Sequence, residues 1–210
     1  KDLPVTFSSY GTGRATIKGD MAGFMVSGVG GITIENINFL GPGPEKGGSG
    51  ISIVNETPTT VSGFRFLDLE ISRFTNSIYI ATGEIPSKIQ NIHIERLSAH
   101  DNASGPSLFG HFAVSSARSG DDYGLRDVYV GHSESFNNTG SGISNMGTGM
   151  AFMNVENLVI EHNKVHDNGG DNLPPKEYPN GPSGILVYDG RKVTVQHNES
   201  YHQHRDPDGP

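Results

Sequence analysis

The chain has 210 residues, with 15 Lys and Arg against 23 Asp and Glu, 33% hydrophobic residues and no cysteine. A formal net charge of -8 argues against a nucleic-acid backbone as partner, and zero cysteine excludes disulfides, thiolate catalysis and cysteine-based zinc sites. No apolar run approaches the roughly 20 residues of a membrane span, and no signal peptide is visible.

In chain order, Leu3 to Ile17 gives two strand-like pieces around Tyr10-Gly-Thr-Gly13, a turn whose glycines permit positive φ. Lys1 reads as a cut end. Residues 22–40 form the first clear coil, and Gly41 to Gly48 is the first loop leaving it. A six-residue phrase then recurs: Ile32-Thr-Ile-Glu-Asn-Ile37, Phe64-Arg-Phe-Leu-Asp-Leu69, Ile92-His-Ile-Glu-Arg-Leu97, Val128-Tyr-Val-Gly-His-Ser133, Leu158-Val-Ile-Glu-His-Asn163 and Val193-Thr-Val-Gln-His-Asn198. The copies begin at 32, 64, 92, 128, 158 and 193, so the steps are 32, 28, 36, 30 and 35 residues, acceptable if loops absorb the variation.

A shorter apolar strand falls between copies, at Ile51 to Val54, Ile78 to Ile80, Phe112 to Val114, Met150 to Met153 and Ile185 to Val187. The apolar positions alternate at two, and Gly and Asn interrupt every run before a useful helix could form. Each unit is too small to bury its own apolar face, so the chain must stack its units as a solenoid of parallel strands. The loops at 100–111, 137–149 and 167–184 leave equivalent corners, and a second set has 115–127 as its longest member. Two such walls make a cleft suited to an extended polymer.

These phrases carry a resemblance. The S-G-I-x-V strands (Ser49 to Ile53, Ser183 to Val187), the I-E-H-N turn at Ile160 to Asn163 and the H-D-N loop starts resemble the right-handed parallel β-helix proteins of the pectate-lyase-like class, over nearly the whole chain. The resemblance implies an all-β fold: one right-handed parallel β-helix, a single-stranded solenoid of about six coils, spanning 1–210 as one domain, open at both ends and part of a longer protein. It implies Asn163 and Asn198 as structural members of an asparagine ladder. It also implies a secreted or cell-surface protein acting on an extended polysaccharide, as a polysaccharide lyase or glycoside hydrolase.

Hydrolysis needs two carboxyl groups roughly 5–9.5 Å apart; lyase chemistry needs a base beside a uronate and a cation to neutralise its carboxylate. The longest loop, the strand end after it and the terminal R-D-P-D-G-P segment fall in the last two coils. There Asp189 and Asp171 are the expected acid and base, with His166 as an auxiliary proton carrier and Tyr188 beside them. Lys176, Glu177, Arg191, Asp206 and Asp208 are expected to contact substrate, Lys176 and Arg191 through its carboxylates if the glycan is acidic. The plainer reading makes Asp189-Gly190 and Asp206 to Gly209 simple turns.

Rows of histidine recur at His132, His162 and His197 and at His100, His166 and Tyr201-His202, and stacking would bring each row into vertical register. Without a carboxylate at ligand spacing they read as turn-side polar residues and not as a metal site. Asp121-Asp122 leaves Ca2+ as an option, because paired hard oxygens in a Gly-rich loop suit that ion. Two rivals have distinguishing features: a non-catalytic glycan-binding module would show aromatic platforms and no close acid pair, and a structural cell-surface solenoid would show short, even loops. The absence of Trp tells against the first and the unequal loops against the second.

Overall fold

The computed structural model describes residues 4–84, 86–110, 122–140, 147–170 and 182–204. The chain winds around three faces, and we number these faces one, two and three in the order it meets them. β1 (Val5–Ser8), β2 (Ala15–Lys18) and β3 (Ala22–Ser27) make the opening turn, and β4 (Ile32–Glu35), β5 (Ile37–Leu40) and β6 (Ser49–Asn55) repeat it. β7 (Thr60–Ser72) runs through faces one and two before β8 (Asn76–Thr82) returns on face three, and β9 (Lys88–His100) and β10 (Ser107–Phe109) do the same. β11 (Leu125–Gly131) and β12 (Glu134–Phe136) follow. β13 (Met150–Glu161) and β15 (Ile185–Gln196) each turn from face three onto face one without a break, leading to β14 (Lys164–His166) and β16 (Glu199–Tyr201).

Every pairing between neighbouring turns is parallel, so the architecture is the all-β parallel helix that the repeats imply. The six recurring phrases all land on face one in register: Ile32, Phe64, Ile92, Val128, Leu158 and Val193 form one inward column. β1 and β2 add a rung before the first phrase, giving seven strands on faces one and two and six on face three among the described residues. One expected strand moves: the face-three rung of the fourth coil is Ser107–Phe109, whose Leu108 sits between Ile80 and Phe152 and is fully buried. Phe112 to Val114 lies outside the described residues. The single apolar Leu108 between Ser107 and Phe109 satisfies the inward column, which is why a short strand suffices.

Corners decide the cross-section. The turn from face one to face two takes a single residue in the left-handed region, successively Asn36, Asp68, Arg96, His132, His162 and His197, with φ between 52° and 56°. Asn, Asp and His are enriched in this conformation. The histidine row is therefore a corner column, as the plainer reading has it. Its rings stack 4.9 and 5.0 Å apart, 4° and 13° from parallel.

At the corner from face two to face three, close packing selects glycine. A Cβ at Gly50 would overlap Ile71 Cγ2 and lie 2.6 Å from Ser77 O. In the next coil the equivalent residue is Ser77, and the residue in register with Ile71 is the smaller Ala99.

Two polar ladders hold the lower coils. In the first, Asn163 Oδ1 accepts from Ser133 N (3.0 Å), Asn198 Oδ1 accepts from Asn163 N (3.0 Å), and their Nδ2 groups donate to Val130 O and Ile160 O. The second was not legible beforehand: Asn102, Asn138 and Asn168 each accept the backbone N–H of the coil above, and Gln203 ends the series. Asn55 and Asn102, both in N-x-S/T triplets, are fully buried and closed to glycan attachment.

Candidate functional site

Long connections join face three to both of its neighbours in the chain. From face two these include residues 41–48 and 101–106 and the segments between β12 and β13 and between β14 and β15, and toward face one the longest runs between β10 and β11; residues 111–121, 141–146 and 171–181 of these lie outside the described residues. The corner between faces one and two carries such an excursion only in the opening turn, at residues 9–14, among the described residues. In the last two coils the corner from face three to face one tightens to Asn154 and Asp189, both left-handed (φ 53° and 62°). Face three is the face that would form the floor of the expected cleft.

Two outward columns make that floor. Met25, Ser52, Tyr79, Ser107, Ala151 and Leu186 form one; Ser27, Val54, Ala81, Phe109, Met153 and Tyr188 form the other. None of these residues is charged. Tyr79 and Phe109 pack edge to face at 6.0 Å, and burial raises the pKa of the Tyr79 phenol. Ser107 is 0% exposed although it points outward, while Tyr188 is 63% exposed.

The expected site residues separate on this frame. Tyr188 stands on the floor, and Asp189 occupies the corner beside it, opposite Asn154 in register. Arg191 points from face one: its Nη2 donates to Glu156 Oε1 at 2.7 Å and its guanidinium lies 5.2 Å from the centre of the Tyr123 ring. His166 projects from face two. These residues, expected to converge, are divided among three faces: the single corner residue Asp189 separates Tyr188 from Arg191, and the connection between β14 and β15 separates His166 from both. Asp171, Lys176, Glu177, Asp206 and Asp208 lie outside the described residues, as does Asp121, so the calcium option at Asp121-Asp122 is not within the described structure. Asp122 Oδ1 itself lies 2.6 Å from Lys88 Nζ.

Two titratable clusters gather carboxylates that the sequence pattern does not mark. On face two, His166 is clamped by Asp167 Oδ2 at Nδ1 (2.6 Å) and Glu134 Oε1 at Nε2 (3.1 Å), and its ring stacks on Phe136 and Tyr201 at 5.4 and 4.9 Å. Two coils earlier His100 repeats the motif with Asp101 (2.8 Å) and Glu70 (3.6 Å), stacked on the other side of Phe136 at 5.0 Å. The available signal was the His-Asp pair at 100–101 and 166–167; Phe136, between them in register, was hidden because Phe is read as core. With both ring nitrogens engaged, His166 is held as a donor and is not poised as a base.

Partial burial pushes the His166 imidazole down, but the hydrogen bonds and charges of Asp167 and Glu134 outweigh it, so its pKa stands above the ordinary histidine value. A raised pKa contributes stability in full below the unfolded value, about 6.5, and loses it as pH rises through the folded one. The expected result is a melting temperature that falls from pH 6 to pH 8.5 in the wild type and falls less in His166→Phe, which keeps the ring stack. A thermal melt series on both proteins checks this, and identical slopes would remove the clamp as the cause.

The second cluster centres on Glu156, against Arg191, Lys192 (3.3 Å) and Arg126 (3.6 Å). The Arg191 hydrogen bond and then the Lys192 contact hold its carboxyl below the usual range. These cations are engaged in a cross-rung ion-pair ladder on face one, two residues past the corner from face three. In the His132–His162–His197 row, rings stacked about 5 Å apart cannot both place a nitrogen at the roughly 2.0–2.1 Å that zinc requires, and in the other row Phe136 stands between His100 and His166. Among the described residues no group of three His, Asp or Glu side chains is arranged to hold a metal.

Parallel pairing on three faces, one-residue corners and asparagine ladders agree with a family model described as the right handed beta helix region, which matches residues 7–199. The chain belongs to the right-handed β-helix family. No curated protein and no solved structure matches it. Membership of the β-helix family is compatible with carbohydrate-active or structural roles, and it selects no reaction. Among the described residues no helix is long and apolar enough to cross a membrane.

Proposed function

We propose that this β-helix protein binds an extended polysaccharide along face three, outside the cell or at its surface, and acts on it as a lyase or hydrolase. The observation that carries the reading is the outward face of face three, an uncharged floor that includes Tyr79, Phe109 and Tyr188, supported by the length of the connections that join this face to both neighbours. A polymer lying parallel to the helix axis would cross successive rungs about 4.8 Å apart, presenting repeated contacts to repeated positions. Asp189, at the rim beside Tyr188, is the described carboxylate best placed to meet it, with Asp171 proposed as its partner.

One observation favours a second reading. The floor carries no acid or base among the described residues, which suits a non-catalytic glycan-binding solenoid equally well.

A panel of polysaccharides incubated with the protein, scored for new reducing ends and for the ultraviolet absorbance of unsaturated products, separates the two. Under the enzymatic reading at least one glycan is cleaved, and Asp189→Asn or Asp171→Asn lowers kcat by about 10²-fold or more, the scale of lost acid–base assistance. Cleavage unchanged in both variants would remove the site assignment. Binding without cleavage on the whole panel would establish the binding reading.

A further inference from the structure

The charge of the chain is distributed unevenly over its faces. Face one carries the Glu156 cluster, its corner with face two the Asp68–Arg96 pair, whose Nε–Oδ1 distance is 2.6 Å, and face two carries Glu70, Glu134 and Lys164 beside the clamped histidines. The outward columns of face three have no ionisable group except the tyrosine phenols. Phe109, Met153 and Tyr188 follow one another down a single column, so the C-terminal half of the floor is a ridge of large, uncharged side chains.

A uronate polymer would need cations beneath its carboxylates, since a carboxylate drawn from water onto an uncharged surface loses hydration with nothing to replace it. Arg191, the described cation expected to meet such a carboxylate, is bonded to Glu156 on another face. A neutral sugar makes no such demand. Its C–H faces pack on tyrosine, phenylalanine and methionine, and its hydroxyls remain wet or bond at the rim.

We propose that the polymer bound on face three is an uncharged polysaccharide, recognised by C–H contact with the Phe109–Met153–Tyr188 ridge and not by charge. This rests on the reading of face three as the glycan-binding face.

The test is isothermal titration of the intact chain with soluble xylan, mannan and mixed-linkage β-glucan, and with polygalacturonate and alginate, each at 50 and 500 mM salt. At least one neutral polymer is expected to bind, with affinity changing less than about two-fold between the salts because no ion pair is screened. Tyr188→Ala is expected to weaken that binding by about ten-fold through loss of its ring contact, while Tyr188→Phe stays within about three-fold. Because Tyr188 is well exposed, neither change threatens the fold; matching circular dichroism and melting curves verify that. Binding of uronate polymers alone, weakening with salt, would overturn the neutral ligand and leave the glycan reading standing. Neutral binding indifferent to Tyr188→Ala would overturn the ridge as its site, and no binding to any of the five would overturn both readings.

Discussion

Asn138→Ala is expected to lower the unfolding free energy by about 3 kcal/mol, from two buried groups, Asn102 N and Ala99 O, that lose the amide at roughly 1–3 kcal/mol each, while Asn168 Oδ1 keeps the Asn138 backbone N–H (3.2 Å). Asn138 Oδ1 accepts from Asn102 N (3.1 Å), and its Nδ2 donates to Ala99 O (3.3 Å) and Asn168 Oδ1 (2.8 Å). All three asparagines of that ladder are fully buried, so water cannot substitute for the lost amide. Folded domains keep only about 5–15 kcal/mol in all, and in a solenoid each coil depends on its neighbours. Urea unfolding gives the comparison. Asn137→Gly, one residue earlier at an exposed left-handed corner, should shift the midpoint by less than about 1 kcal/mol, since glycine adopts that conformation freely. Equal losses in the two variants would show that the corner, and not the ladder, carries the stability.

Gly149→Val should prevent folding altogether. A Cβ at that position would overlap Val165 Cγ1 and lie 2.6 Å from Gly184 O, and the second of these atoms is backbone, fixed by the next rung through the bond from Met150 N to Gly184 O (2.8 Å). Relief would require the last two coils to separate, breaking the parallel register of β13 with β15. Gly149→Ala is the milder probe, expected to cost about 3 kcal/mol or more as an overpacked site. Combining it with Val165→Ala should recover at least about 1 kcal/mol relative to additivity, because the two side chains share one space. Expression yield, circular dichroism and a double-mutant cycle measure these effects. A soluble, fully folded Gly149→Val would show that the corner yields more than the packing allows.

The histidine clamp on face two shows how tertiary structure can absorb residues that look catalytic. His166 reads from sequence as a proton carrier; in the fold it bridges Glu134 and Asp167 and stacks between Phe136 and Tyr201. Its repetition at His100 identifies a cross-rung device that seals the outer surface of the stack, in the same way that the Asn ladders seal its corners.

The solenoid follows from local pattern alone. Period-two apolar phrases returning about once per coil can bury their faces only against copies of themselves, so Ile32, Phe64, Ile92, Val128, Leu158 and Val193 had to share a column, and Asn163 and Asn198 had to meet. Local pattern also located the strands of face three, except where Ser107 to Phe109, with a single inward leucine, gave a weaker signal than Phe112 to Val114. Which side of the coil each functional group faces depends instead on the three-dimensional path of the chain. Tyr188, Asp189 and Arg191 lie within four residues of one another, yet one left-handed residue at Asp189 sends Tyr188 to the cleft floor and Arg191 to another face. Sequence proximity carries no information about that direction, because a single φ of opposite sign redirects everything after it.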